Sequence, residues 1–190
     1  MPLDSAFSSF PLLSTNRFHL RQIQPSDAEA FFQIKSDAEV TSSYGREPHR
    51  SLQVTQAWLQ LLQDNYTHRE GIVWAITHKE RDLPIGSCTY WHLDPESCCA
   101  EIGYELNRTA WGQGVMSEVL PAVISYGFKE LGLNRIEANP LAKNGRSTKV
   151  LLKLGFTHEG TLRQRVLFRG VYEDMMYFGL LGKEWTEATR

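Results

Sequence analysis

The sequence predicts an α/β fold built on a mixed, mostly antiparallel central sheet flanked by helices. Three observations lead there. Runs with strand and helix periodicity follow one another in the order β-α-α-β-β-β-α-β-α-β-β. Three successive strand-like runs, Ile72–Thr77, Ile85–Trp91 and Ala100–Leu106, have connections too short for a crossover, so they form an antiparallel meander. One long helical run then separates Ala100–Leu106 from Arg135–Ala138, which allows a parallel strand–helix–strand unit. The 190 residues, 42% of them hydrophobic, suit one domain, with residues 1–15 as an N-terminal extension.

Each element has a local cause. Phe18, Leu20 and Ile23, interrupted by His19, Arg21 and Gln22, mark a first strand over Arg17–Ile23. Ser26-Asp27-Ala28-Glu29 follows Pro25 as a capping box and predicts a helix to about Ser36. Tyr44–Pro48 is a loop, and Ser51 caps a second helix with Val54, Trp58, Leu61 and Leu62 on one side. Arg81–Pro84 predicts the first turn of the meander, and Asp94–Ser97 precedes its last strand. After Gly114, apolar residues from Val115 to Leu131 recur at helical spacing, and Gly132 stops the helix. Pro121 lies inside it and frees the carbonyl of Ser117, so a kink or a local water is expected. Asn144 starts a last helix whose apolar face is Val150, Leu151 and Leu154, ended by Gly155. Two strands, Thr157–Phe168 and Val171–Leu181, turn at Arg169-Gly170. Phe7, Phe10, Leu12 and Leu13 are expected to fold back onto the domain, and Trp58, Trp74 and Trp185 to serve as packing.

Bulk properties exclude several classes. A net charge of −2 leaves no basic excess to neutralise a phosphate backbone, so nucleic acid is not expected as a ligand. The three cysteines, Cys88, Cys98 and Cys99, are odd in number and lack Cys-x-x-Cys spacing, which predicts a reducing, cytoplasmic setting without disulfides. The six histidines show no ligand spacing, and no metal is expected. No apolar run approaches the ~20 residues that cross a bilayer, and the first residues lack the basic and apolar regions of a signal peptide.

Strand, glycine turn and helix start form an anion site: the first N–H groups of a helix lack internal partners and carry partial positive charge. Gly112 and Gly114 let a phosphate approach the amides of Gln113, Val115, Met116 and Ser117. No Lys-Ser/Thr follows, so this is not a Walker loop, and Ser117 replaces the third glycine of a dinucleotide fingerprint.

Read together, Ala100-Glu101-Ile102-Gly103-Tyr104-Glu105-Leu106 and Trp111-Gly112-Gln113-Gly114-Val115-Met116-Ser117-Glu118 resemble the GNAT superfamily of N-acetyltransferases. Asn144-Gly145-Arg146-Ser147 with Val150–Phe156 is similar to that family's next motif. Glu159–Arg163 and Gly170–Asp174 resemble the ending of its RimJ/RimL branch, the ribosomal-protein N-terminal acetyltransferases. The resemblance spans Asn16 to Leu181. In the family's pyrophosphate signature, Trp111 stands at the Gln/Arg position and Met116 at the last small position.

The resemblance implies a splayed pair of strands ending at Leu106 and Ala138, with acetyl-coenzyme A as cosubstrate and its pantetheine arm between them. Glu105, Leu106 and Asn107 would pair with that arm as an added strand would, and Asn144 would bond it. An N–H near Leu106 would polarise the thioester carbonyl. Ser147 matches the serine near the sulfur in RimL-like members and would protonate the departing thiolate; the tyrosine that others use one turn later is Leu151 here. Glu101 aligns with a general base used in part of the superfamily, and Glu105, on the same strand face, is the second choice. A further late glutamate of some RimL-like members is Val166 here. Tyr44, Arg46, Trp91, Tyr172 and Asp174 are candidates for the acceptor pocket.

The expected activity is transfer of acetyl from acetyl-coenzyme A to a primary amine, a protein N-terminus first, by direct attack in a ternary complex. A small-molecule amine as acceptor, or a non-catalytic acetyl-coenzyme A sensor, are the competing readings. Strand edges late in the chain allow either a monomer or a homodimer.

Overall fold

The computed structural model describes residues 6–186. Its strands are β1 (Leu13–Ser14), β2 (Phe18–Gln22), β3 (Ile72–His78), β4 (Arg81–Asp94), β5 (Cys99–Leu106), β6 (Arg135–Ala138), β7 (Thr157–Phe168) and β8 (Val171–Leu181). Its helices are α1 (Ala28–Lys35), α2 (Ala38–Ser42), α3 (Leu52–Thr67), α4 (Val115–Lys129) and α5 (Gly145–Lys153). The strands form one sheet in the order β1-β2-β3-β4-β5-β6-β8-β7. Among the described strands only β5 and β6 run parallel, as the long helix between them permits. The mixed, mostly antiparallel sheet expected from the sequence is what forms.

Two cores cover its faces. On one, Val119, Leu120, Val123 and Ile124 of α4 and Leu151 of α5 pack on Leu20, Trp74, Tyr90 and Ile102. On the other, Phe31 and Ile34 of α1 and Leu59 of α3 meet Val73 and Ala75. Strand alternation sends Trp74 and Ile76 to the first face and Val73 and Ala75 to the second. The N-terminal segment does fold back: Phe7 and Phe10 contact Tyr66 at ring distances of 5.2 and 5.1 Å, and the Trp74 indole donates to the Pro11 carbonyl at 2.7 Å. Leu12 does not join them and stays exposed.

Local departures from the sequence reading have physical causes. The Ser26/Glu29 capping box is not made. Instead the Asp27 carboxylate accepts from the Gln24 N–H at 2.8 Å and from both terminal nitrogens of Arg21, each at 2.8 Å. A buried carboxylate with a bidentate arginine outcompetes an exposed serine. Ser51 precedes α3 without a side-chain cap bond. The first meander turn lies at Lys79-Glu80, while Arg81–Pro84 already belongs to β4. Pro84 cannot donate to the ladder, and the register slips there, between Thr77 and His78. Short α2, capped by the Asp37 carboxylate on Glu39 N–H, gave no periodic signal. Helix α4 runs unbroken through Pro121.

Asp27 is 4% exposed and holds Arg21 in place. The Asp27→Ala variant is expected to lose about 3 kcal/mol of stability by leaving Arg21 and the Gln24 N–H without their main acceptor. Denaturant midpoints would show it, and a shift under about 0.5 kcal/mol would count against this account.

Candidate active site

The sheet opens between its two parallel strands. Their pairing covers only Cys99↔Arg135, Ala100↔Ile136 and Glu101↔Glu137. Beyond that point β5 stays with β4 as far as Gly86↔Leu106. The chain after β6 instead follows β8: the Met176 N–H donates to the Pro140 carbonyl at 2.9 Å, and Leu141 bridges Met175. Each strand is held by its outer neighbour, so the gap between them is built in.

The free edge of β5 differs from the one the sequence implied. The Asn107 N–H is used by the Ile85 carbonyl, at 2.8 Å. Alternation along the strand then turns the backbone of Glu105 and Asn107 to β4, and that of Tyr104 and Leu106 to the gap. The Leu106 carbonyl already accepts from the Trp111 indole at 3.1 Å. What faces the gap is the Leu106 N–H together with the N–H and C=O of Tyr104. Asn107 caps the following turn instead, its side chain accepting from the Thr109 N–H at 3.0 Å.

The glycine turn is open. Gly112 and Gly114 have φ of 75° and 73°, a left-handed region that glycine alone adopts freely. A Cβ at Gly112 would meet nothing within 4 Å, and one at Gly114 only an Arg17 nitrogen at 3.8 Å. Among the described residues, no backbone N–H from Gly112 to Ser117 donates to the protein. The Met116 side chain is buried in the core, so its size does not obstruct the turn. The turn is braced from behind by residues outside the motif. Both terminal nitrogens of Arg17 donate to the Gln113 carbonyl, at 3.3 and 3.2 Å. The Glu118 carboxylate accepts from the Arg17 Nε at 2.6 Å and the Thr15 hydroxyl at 2.7 Å.

From the turn a cleft of about 450 Å³ runs to the strand gap. Gly112, Gly114, Val115, Met116, Ser117, Glu105, Leu106 and Asn144 line it, whereas Gln113 and Asn107 do not. Arg146 and Lys149 of α5 add two cations that sequence reading passed over. Arg146 lies over the Trp111 ring at 4.3 Å, so Trp111 both caps a strand carbonyl and seats a guanidinium. Free amides, an uncrowded turn and two cations fit the phosphates of a coenzyme A thioester.

A second cleft of about 530 Å³ lies beside α1 and α3 and shares Ser43, Tyr104, Glu105, Asn144 and Ser147 with the first. At this junction the Asn144 side chain accepts from the Ser147 N–H at 3.2 Å and donates to the Ser43 carbonyl at 3.2 Å. The Ser147 hydroxyl is 2.8 Å from that of Tyr104. Burial pushes the Tyr104 phenol up to about 12, against the opposing effect of the Ser147 hydrogen bond, so it stays protonated at neutral pH. Tyr104 was invisible to motif reading because its partner lies 43 residues away.

The two carboxylates of β5 part company here. Glu105 is spent: Lys35 lies 2.7 Å from one oxygen, Tyr44 donates to the other at 2.9 Å, and the Ser87 hydroxyl is 3.3 Å away. Burial, then the Glu105 charge, pushes the Tyr44 phenol well up. Among the described residues, Glu101 bonds only the exposed His92, at 3.1 Å. It lines the second cleft at the point where the β5–β6 pairing ends. Of the acceptor-pocket candidates, Tyr44, Arg46 and Trp91 line this cleft. Tyr172 is exposed on the hairpin, and the Asp174 carboxylate accepts from the Gln164 N–H at 2.7 Å, a turn role. Trp58 is more than packing, since it lines the cleft with Lys35 4.2 Å above its ring.

Two clefts that meet at a gap in the sheet define a transferase with two substrates. The chain belongs to the GNAT acetyltransferases: the family model for the acetyltransferase (GNAT) domain matches residues 17–157. It is an acetyl-transferring enzyme with RimJ/RimL-like relatives. It is 39% identical to the uncharacterized N-acetyltransferase YoaA of Bacillus subtilis (strain 168), over 90% of this chain and 97% of that one. It is 31% identical to the ribosomal-protein-serine acetyltransferase of Escherichia coli (strain K12), over 57% of this chain and 60% of that one. The fold is shared with the solved structure of Mycobacterium smegmatis RimJ in complex with CoA-disulfide, at a TM-score of 0.80 and 21% identity, covering 91% of this chain and 88% of that one. No described helix is long and apolar enough to cross a membrane.

Proposed function

We propose that the enzyme acetylates a protein N-terminal α-amine by direct attack on acetyl-coenzyme A while both are bound. The observation that carries this reading is the junction at Tyr104, Asn144 and Ser147, where the two clefts meet. The amides of Gly112 to Ser117, with Arg146 and Lys149, hold the phosphates. The Leu106 and Tyr104 N–H groups face the gap, where oxyanion charge would develop. The acceptor nitrogen forms its bond to the thioester carbon and yields a proton to Glu101, directly or through water. The C–S bond breaks, and the thiolate takes a proton from Ser147 as Ser147 takes one from the Tyr104 hydroxyl; water in the cleft then returns a proton to Tyr104 and removes the one held by Glu101.

An α-amine suits this base. Its pKa is near 8, so roughly a tenth is neutral at pH 7, whereas a lysine near 10.4 demands about 4–5 kcal/mol for deprotonation. The E. coli relative, by its name, acts on a serine of a ribosomal protein. A small amine is the second reading, favoured by the aromatic walls Tyr44, Trp58 and Trp91.

The test is mass spectrometry of a cell lysate incubated with enzyme and acetyl-coenzyme A. New acetylation on protein N-termini is the expected result, and product confined to small amines would overturn it. Ser147→Ala should lower kcat about 10–100-fold with acetyl-coenzyme A affinity intact, and Tyr104→Phe should produce a smaller loss. Unchanged turnover in both would remove the proton-supply role.

A further inference from the structure

The second cleft sets a few charged groups among aromatic and apolar walls. Five of its side chains are acidic or strongly basic: Lys35, Arg46, Glu101, Glu105 and Arg165. Lys35 and Glu105 neutralise one another. Three remain: Glu101 at the end of the β5–β6 pairing, and Arg46 and Arg165 on the loop after α2 and on β7. Among the described residues, neither guanidinium has a hydrogen bond or ion pair. The two segments that carry them are tied together. Arg169 of the hairpin binds Glu47 through two nitrogens, each at 2.9 Å, and a Cβ built on Gly45 would sit 3.5 Å from Val166. The adjacent Arg46 and Arg165 are thus presented from one braced wall. That bracing arginine holds the Glu47 carboxyl below its usual range, so the tie persists at neutral pH.

A second observation concerns the sheet end of the same cleft. Asn139 follows β6 directly, and its side-chain oxygen is buried with no hydrogen-bond partner. A buried unpaired acceptor is costly and calls for a donor. Asn139 lines the cleft, and a turn of its side chain that uncovers this oxygen lets a ligand N–H supply it.

We infer that the acceptor is an amine that also carries a carboxylate: its nitrogen end meets Glu101 and the Asn139 oxygen, and its anionic group meets Arg46 and Arg165. On the proposed function, on which this rests, the acceptor is a protein N-terminus with Asp or Glu among its first few residues. Two like charges repel a polyamine or a lysine-rich terminus from the same wall.

The test is a set of peptides that share one N-terminal residue and carry Asp, Asn or Lys next to it, with free amino acids and a polyamine alongside. The Asp peptide should exceed the Lys peptide by about tenfold in kcat/KM at low salt, and the ratio should shrink as salt rises. Arg46→Glu/Arg165→Glu should invert the order, while Arg46→Lys/Arg165→Lys should keep it. Asn139→Leu should lower turnover of every acceptor without lowering the melting temperature, because the orphaned polar atom is removed. Equal turnover of all three peptides, insensitive to the arginine variants, overturns the inference and leaves the N-terminal reading standing. Turnover of acidic free amino acids but of no peptide overturns the N-terminal reading and supports the inference. A preference for the polyamine overturns both.

Discussion

Replacing Glu101 with glutamine is expected to cut kcat by about 10²–10⁴-fold, the range of a lost general base. Glu105 cannot substitute for it. Both its oxygens are engaged by Lys35, Tyr44 and Ser87, and its charge is balanced where it stands. Among the described residues, Glu101 has only His92 as a partner, and that ring is largely exposed. Acetyl-coenzyme A affinity should be unchanged in Glu101→Gln, since the residue lines the acceptor cleft and not the phosphate-facing one. The deficit should narrow as pH rises past the acceptor's own pKa, near 8 for an α-amine, because a neutral amine no longer needs deprotonation before attack. Steady-state kinetics across pH would show both features. Turnover retained to within about twofold would show that Glu101 is not the base.

Gly114→Val is expected to weaken acetyl-coenzyme A binding by about 100-fold, from the loss of two or so hydrogen bonds to a charged group. At φ of 73° a β-branched residue is strained by about 1–2 kcal/mol. The turn would relax and its amides would no longer converge. Calorimetry and the loss of ligand-induced thermal stabilisation would report it. Gly160→Ala is the matched control: its φ is ordinary and a Cβ there meets nothing within 4 Å. If Gly114→Val binds as tightly as the unaltered protein, the amides of this turn do not hold the phosphates.

Where sequence reading succeeded, the signal was local. Helix α5 begins after Asn144 because asparagine caps the Ser147 N–H, and β7 and β8 turn at Arg169-Gly170 because both residues adopt positive φ. The glycine turn was legible because only glycine tolerates its two left-handed positions. Where it failed, a distant competitor decided. Asp27 displaced a serine cap because Arg21 of β2 reaches it. Trp58 packs on the second core as expected but also lines the cleft, where Lys35 sits on its ring. Asn107 left the free edge because Ile85 takes its N–H.

The sequence alone determined the order of the long elements, the open turn at Gly112 and Gly114, and the carboxylates and serine that are the candidates for the chemistry. These follow from backbone conformation and short-range periodicity, which neighbouring residues specify. Only the tertiary structure decided which carboxylate is spent on Lys35, which phenol serves Ser147, and which arginines stand unpaired in the acceptor cleft. Ion pairs and hydrogen bonds form between groups that are close in space, and residues brought together by the sheet are dozens of positions apart in the chain.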